Sequence, residues 1–351
     1  MKVLLLSRYG SLGASSRVRF LQYLPYFKTQ GAEVSVMPLF SDDYLKALYS
    51  GQSRWRRVLA GYVRRIGALF RAGRFDVLIV EKELFPFLPA VAERWLSAVG
   101  IPYVADYDDA LFHRYDRHSS VWVRAALGRK IDVVMRHASV VIAGNDYVAE
   151  HARQAGTRRI EVIPTVVDTQ RYQPRGGPPN EIPMIGWIGT PYTSRYLKPL
   201  LPVFEALKAR MPVRVIAVGA RSEDFAGTVV ETMPWSEETE VASIQQFDIG
   251  IMPITDTPWE RGKCGYKLIQ YMACGIPVVA SPVGVNTKIV RSRQNGLLAH
   301  DGEWEQKLAT LLRAPELRRT YGVRGREDVK GSYSVKAQAP RFLNVIREAI
   351  R

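Results

Sequence analysis

The chain has 351 residues, 47% of them hydrophobic and 24% charged, which excludes disordered, collagen-like and disulfide-framework proteins and leaves room for two domains, each with its own core. Its two cysteines, Cys264 and Cys274, form no CxxC pair, so no structural zinc site or disulfide is expected, both read as buried thiols, and a reducing cytoplasm fits. Against 34 Asp and Glu stand 49 Lys and Arg, a formal net charge of +15 that draws a protein to phosphates, whether on nucleic acid, lipid or nucleotide.

The apolar run 3–6 is too short for a signal-peptide core and reads as a first buried strand, with the protein expected cytoplasmic and mature as written. No run approaches the roughly 20 apolar residues of a membrane-spanning helix. A Gly/Ser loop follows, then a predicted helix over 16–30 and a strand over 33–38. Residues 54–74 carry seven arginines and no acid, interleaved with Trp55, Leu59, Tyr62, Val63, Ile66, Leu69 and Phe70. Arg57, Arg64, Arg65 and Arg71 fall largely opposite that apolar stripe. The stretch is a basic amphipathic helix suited to an anionic membrane surface, or a surface helix whose stripe faces its own core. Nucleic acid is not expected, because no helix-turn-helix, zinc-finger or RRM signature accompanies the charge.

Strands over 76–81, 103–105, 140–143 and 160–163 then alternate with helices near 90–99 and 121–137 and one ending at 155. The segment 173–183, QPRGGPPNEIP, breaks the pattern with four prolines and two glycines and reads as a linker. Alternation resumes with strands over 184–188, 213–218, 248–252 and 278–280, a helix reaching 210 and another after Lys263. Two doubly wound, Rossmann-like α/β domains with parallel sheets follow, over 1–172 and 184–330. The amphipathic segment 331–351 either caps the second domain or crosses back to the first. In open α/β sheets ligands bind beyond the carboxyl ends of the strands, which predicts an interdomain cleft as the site.

Three stretches carry chemistry. In YGSLGASSRVR, Gly10 and Gly13 permit close backbone approach, Ser15 and Ser16 can cap the next helix, and Arg17 and Arg19 add charge near its anion-binding end. The pattern is not G-x-G-x-x-G, so no dinucleotide fingerprint is present. In residues 260–286, Lys263 and Lys267 are four apart, hence on one face of a helix starting near Gly262, with Gln270 near that face. Two such lysines make a diphosphate site, or two solvated surface groups. In IPYVADYDDALFH, Asp106, Asp108 and Asp109 cluster at a strand end, as cleft residues or as caps of a helix at Ala110. His113 and His118 read as surface residues. Trp235 follows a strand and either contacts a base or packs in the core.

The segment 260–286, with its MACGIPVV, resembles the donor-binding segment of family-4-type retaining glycosyltransferases of the GT-B fold. Other stretches resemble that family in the same order: residues 1–19, the segment 140–168 with Pro164 and Asp168, IGWIGTPYTSRYL, QNGLLAH and GSYSV. The resemblance covers nearly the whole chain. It implies transfer of a sugar from a nucleotide-diphosphate sugar to an acceptor hydroxyl, with retention and without a metal or other cofactor. It places Gly13 against the donor diphosphate from the first domain. Gly189 and Thr190 would open a phosphate-directed helix in the second, and Lys267 would neutralise the leaving diphosphate with help from Lys263. Arg195 or Lys198 would add charge, and Trp235 would lie at the nucleobase.

The family usually carries two glutamates separated by seven residues; here Gly262 stands at the first and Gln270 at the second. An amide can still hydrogen-bond ribose hydroxyls. Glu260 is no assured substitute for the first. Asp108 matches a position where the family often has histidine and would orient the acceptor or stabilise oxocarbenium charge, with Asp109, Arg17 and Arg19 on the acceptor side. The D-x-D spelling also resembles the metal motif of the GT-A fold, which the other landmarks outweigh. The whole reads as a cytoplasmic hexosyltransferase, peripheral on the inner membrane face through residues 54–74, acting on a lipid-linked or glycan acceptor. Alternatives are a GT-B sugar-nucleotide epimerase and a catalytically weak sugar-nucleotide-binding subunit.

Overall fold

The computed structural model describes residues 1–176 and 180–350; residues 177–179 of the proline-rich segment lie outside them, as does residue 351. The chain divides into two compact units. The first comprises Met1–Val166, Gly262–Cys264 and Val335–Arg351, and the second Val167–Arg261 and Gly265–Ser334.

The first unit is built on six parallel strands: β1 (Lys2–Leu6), β2 (Glu33–Val36), β3 (Val77–Glu81), β4 (Tyr103–Tyr107), β5 (Val140–Ala143) and β6 (Ile160–Val162), in the order β2-β1-β3-β4-β5-β6. In the register of the central pairs, Val3 lies beside Val77 and Leu78 beside Tyr103. Strands β3, β4 and β5 are buried throughout, as continuous apolar runs covered on both faces should be. One face packs Leu4, Leu78, Tyr103 and Val141 against helices that include Trp55–Leu69, Val91–Ala98 and Lys130–His137. The other packs Val3, Leu5, Val77 and Val104 against Phe20, Tyr23 and Phe27 and the helix Val335–Glu348. There Phe342 meets Tyr23 edge-on at 5.1 Å between ring centroids and Phe27 at 5.7 Å.

The second unit repeats the plan with β7 (Met184–Ile188), β8 (Arg214–Val218), β9 (Val230–Met233), β10 (Ile249–Met252), β11 (Val278–Ala280) and β12 (Gly296–Leu298), ordered β12-β11-β10-β7-β8-β9 and parallel. One face buries Leu268, Ile269 and Met272 of the helix Tyr266–Ala273, and the other Phe204, Leu207, Leu308 and Leu311.

Several predicted helices are broken where the chemistry requires it. The stretch 16–30 becomes Ala14–Arg19, a 3-10 turn and Leu24–Thr29, because Pro25 lacks an N–H and sits in a helix's first turn. The stretch 121–137 divides at Gly128 into Val121–Leu127 and Lys130–His137. Ahead of Arg210, Pro199 leaves a 3-10 segment, Ser194–Leu200, before the helix Leu201–Arg210. Elements with no counterpart in the sequence reading include the edge strand β12, the helices Asp42–Tyr49, Glu240–Gln245 and Trp304–Arg313, and the helix Pro315–Ser332, whose buried side includes Gly322 and Gly325 where an apolar stripe would be sought.

Candidate functional site

In the first unit, the chain leaving β1, β3 and β4 brings a dense polar group to the carboxyl edge of the sheet. Glu81 is fully engaged: Ser15 and Ser16 donate to its two oxygens at 2.7 and 2.6 Å, and the Arg8 backbone N–H donates at 2.7 Å. The serines therefore serve Glu81 and do not cap the helix, whose N-cap is Gly13. Arg19 is buried; its Nε donates to Asp106 at 2.7 Å and its Nη1 to the Ile163 carbonyl at 2.8 Å. The expected acceptor role of Arg19 is thereby corrected to a structural one. Burial pushes the Asp106 carboxyl up to about 6 even though Arg19 opposes it. Arg17 is half-buried and donates to the Ser11 carbonyl at 3.3 Å.

Asp108 is buried with the Lys82 ammonium 2.9 Å from its Oδ1. Burial alone would raise its carboxyl, but Lys82, and then Arg19, hold it below the usual carboxylate range. Lys82 reaches it from a backbone with φ 69°, a left-handed conformation uncommon for a long side chain. Asp109 is half-buried beside it. Ligand atoms of Asp108, Asp109 and Cys264 lie within 4.8 Å of one another, with the Lys82 ammonium already placed against Asp108. None of the three aspartates caps a helix; the next one, His113–Asp116, has Phe112 as its N-cap. His113 is held between Asp116 at 3.0 Å and the Tyr147 hydroxyl at 2.8 Å, and the His118 Nδ1 accepts from the Ser120 N–H.

In the second unit, β7 ends at Ile188, and Gly189 donates its N–H to the Val218 carbonyl at 3.0 Å. Thr190 opens no helix: its N–H goes to Thr193 Oγ1 at 3.1 Å and Thr193 is the N-cap of the 3-10 segment. The guanidinium of Arg195 stacks over Tyr192 at 4.3 Å and approaches Glu260 at 3.8 Å. Glu260 is buried, accepting from Tyr196 and Thr257, and so supports this corner of the unit.

The helix Tyr266–Ala273 starts later than its lysines suggest. Gly265 is its N-cap with φ 67°, a left-handed turn open to glycine, so Lys263 lies before the helix and shares no helical face with Lys267. Lys267, in the first turn and half-buried, places its ammonium 5.5 Å from the Trp187 ring centroid. Gln270 is buried, and its amide donates to the Tyr172 hydroxyl at 3.0 Å. Tyr172 in turn donates to Glu240, which also accepts from the Trp235 indole N–H at 2.9 Å. Trp235 stays partly exposed. A hydrogen-bonded row, Gln270–Tyr172–Glu240–Trp235, thus joins two predicted donor residues through two that sequence reasoning missed. Nothing marks Glu240 among the acids of SEETE, and its partner Tyr172 is 68 residues away.

The chain matches the family described as "Glycosyl transferases group 1" over residues 182–314 and that described as "Glycosyltransferase Family 4" over residues 22–171. It belongs to the family-4-type glycosyltransferases of the GT-B fold. A curated relative, D-inositol 3-phosphate glycosyltransferase of Segniliparus rotundus, is 26% identical over 241 residues, covering 60% of this chain and 52% of the relative. The chain thus spans about half the length of that relative. Among solved structures, sucrose-phosphate synthase from Thermosynechococcus elongatus aligns with a TM-score of 0.73 at 14% identity, over 99% of this chain and 98% of that one. Anabaena HepE in complex with UDP-glucose aligns with a TM-score of 0.68 at 17% identity, over 99% and 100%. At these identities the likeness shows the shared fold.

The geometry gives a reason for this family member's departure from the two-glutamate pattern. A Cβ added at Gly262 would lie 2.3 Å from the Ala110 Cβ and 2.9 Å from its backbone nitrogen. No glutamate fits there without moving that backbone. The Gly262 carbonyl instead accepts from the Asn145 amide at 2.9 Å, while Asn145 Oδ1 caps the helix Asp146–Gln154.

The basic segment forms the helix Trp55–Leu69. Its apolar residues divide between two sides. Tyr62 and Leu69 turn inward with Ala68, whereas Trp55, Leu59, Val63, Ile66 and Phe70 are 62, 58, 61, 47 and 84% exposed. Arg65, expected on the polar face, is buried and donates to the Ser7 carbonyl at 2.6 Å; burial pulls its guanidinium down to about 9. Among the described residues no helix is long and apolar enough to cross a membrane.

Proposed function

We propose that the chain is a retaining, metal-independent hexosyltransferase that uses a nucleotide-diphosphate sugar. The observation that carries the reading is the second unit's carboxyl edge. There the Lys267 ammonium at a helix start and the half-exposed Trp235, tied to Gln270 through Glu240 and Tyr172, offer a cation for a diphosphate and a flat surface for a base. In the reaction the bond from the anomeric carbon to the diphosphate oxygen breaks. The acceptor oxygen bonds to the same face of the sugar, and its proton leaves with the nucleotide diphosphate. Lys267 stabilises the charge that grows on the leaving group, and ionised Asp108 orients the acceptor or the oxocarbenium-like sugar. Gly13 and Arg17, Gly189, Thr190, Arg195 and Lys263 have supporting roles in this reading, and Asp109 an acceptor-side one. Two similarities bear on it: a structural neighbour was solved with UDP-glucose and the curated relative is named for a phosphorylated acceptor.

The exposed stripe Trp55–Leu59–Val63–Ile66–Phe70, with Arg54, Arg56, Arg64 and Arg71 around it, supports peripheral docking on an anionic bilayer from the cytoplasmic side and hence a lipid-linked or glycan acceptor. The test is a panel of UDP, GDP, ADP and dTDP with their sugar conjugates. One nucleotide family should raise the melting temperature, by a stabilisation of about 2.7 kcal/mol at a hundredfold excess over Kd. With that donor, transfer should survive EDTA and fall about 100-fold in Lys267→Ala. Loss on EDTA that Mn²⁺ restores would instead give the Asp108, Asp109 and Cys264 group a metal role. The glycine and glutamine at the family's two glutamate positions favour a second reading, a sugar-nucleotide-binding subunit; binding without turnover by any acceptor would establish it.

A further inference from the structure

The first unit carries a surplus of positive charge that its fold does not consume. Arg8 lies two residues beyond β1 and Arg114 in the helix His113–Asp116 that follows β4, so both stand at the carboxyl edge of the sheet, on either side of the chain leaving β3. That chain supplies Glu83, the carboxylate that Arg8 contacts. Its charge is already divided: one oxygen takes the buried Lys130 ammonium and the Tyr115 hydroxyl at 2.7 Å, leaving Arg8 a longer contact of 3.3 Å to the other. Glu81 is committed to Ser15, Ser16 and a backbone N–H. Among the other acids, Asp106 pairs with Arg19, Asp108 with Lys82 and Asp116 with His113, while Glu93 accepts from the Leu84 N–H and burial pushes its carboxyl above the usual range.

Arg114 is half-buried and makes no hydrogen bond or ion pair with any described side chain. Its chain neighbour Tyr115 reaches one oxygen of Glu83 while Arg8 contacts the other, so Arg8 and Arg114 flank the same carboxylate; burial, and then Arg8, draw the Arg114 guanidinium below its ordinary value. Such an arrangement is costly until an anion joins it. Planar guanidinium forks suit bidentate contact with carboxylate or phosphate oxygens.

We propose that Arg8 and Arg114 together bind an anionic group, a phosphate monoester or a carboxylate, carried by the acceptor. The inference rests on the transferase reading and narrows its acceptor to an acidic one. Arg114 is the specificity-determining member, because Arg8 also holds Glu83.

The first test needs no transfer. Inorganic phosphate and acetate are titrated separately into the full chain and followed by ³¹P and ¹³C line broadening. At least one should bind, and Arg114→Gln should weaken it about 10–100-fold, the value of a charge-assisted hydrogen bond. Arg114→Lys keeps the stem and the charge and should retain part of the binding; it also carries the test if the glutamine variant fails to fold. The second test compares transfer to glycerol, glycerol 3-phosphate and glycerate, using the donor that stabilises the protein most. The acidic acceptor that matches the bound ion should be preferred, and Arg114→Gln should erase the preference by raising KM. No broadening by either ion, binding unchanged in Arg114→Gln, or equal use of glycerol would overturn the proposal. Ion binding with no transfer from any donor would overturn the transferase reading and leave the anion site standing.

Discussion

Asp108 combines burial with a lysine at ion-pair distance, and the balance between them decides its chemistry. Burial raises a carboxyl, but the Lys82 ammonium outweighs it, so the group stays ionised. A carboxyl with a depressed pKa is charged above its ordinary value of 3.8 and loses that charge only as the pH falls below it. Transfer should therefore show no acid limb from Asp108 between pH 5 and 8. A limb near pH 6 would point instead to Asp106, which burial holds at about 6. Asp108→Asn keeps the shape and removes the charge; turnover should fall about 100-fold while donor affinity changes less than about threefold. Unchanged turnover would remove Asp108 from the reaction. These roles were only half-visible in the sequence. The acidic spelling at a strand end marked Asp108, but its partner Lys82 stands in an unremarkable KEL tripeptide and reaches it through a left-handed turn. Arg19 looked like a ligand-facing charge near a helix start because Asp106, 87 residues later, is close only once β4 lies in the sheet.

At the scale of elements, most strands could be read directly, because parallel strands covered on both faces need unbroken apolar runs such as 77–80 and Val140–Ala143. Short edge strands lack that signature, and Gly296–Leu298 went unseen. Lys263 was misplaced for a local reason: four-residue spacing means a shared face only inside a helix, and Gly265 delays the helix. The helix Trp55–Leu69 carries two stripes, with Ala68 and Leu69 on the core and Leu59, Val63 and Ile66 exposed. Its exposed stripe predicts a membrane experiment. Binding to vesicles containing phosphatidylserine should exceed binding to neutral ones and weaken as salt rises from 0.05 to 0.5 M, by ordinary charge screening. Replacing Trp55, Leu59 and Val63 by serine should abolish it with little change in melting temperature, since these side chains face away from the core. Vesicle binding that ignores lipid charge would set the arginines aside.

At the scale of the molecule, the last helix determines how the first unit is completed. Phe342 is wholly buried and inserts among Phe20, Tyr23 and Phe27, residues more than 300 positions earlier. Phe342→Ala should cost about 3–5 kcal/mol in urea unfolding, the usual range for emptying an aromatic site in a core. A loss below 1 kcal/mol would mean the helix adds little to that face. The placement also has a consequence during synthesis. The amino-terminal sheet emerges from the ribosome with one face covered only in part, by Phe20, Tyr23 and Phe27, and the entire second unit is made before the last helix completes the cover. At about 5–20 residues per second, the apolar residues of β1 and β3 wait on the order of ten seconds or more for Phe342. For that interval the nascent chain presents a partly uncovered hydrophobic sheet, a natural client for a chaperone, and slowing translation between residues 170 and 335 should lengthen its dependence on one.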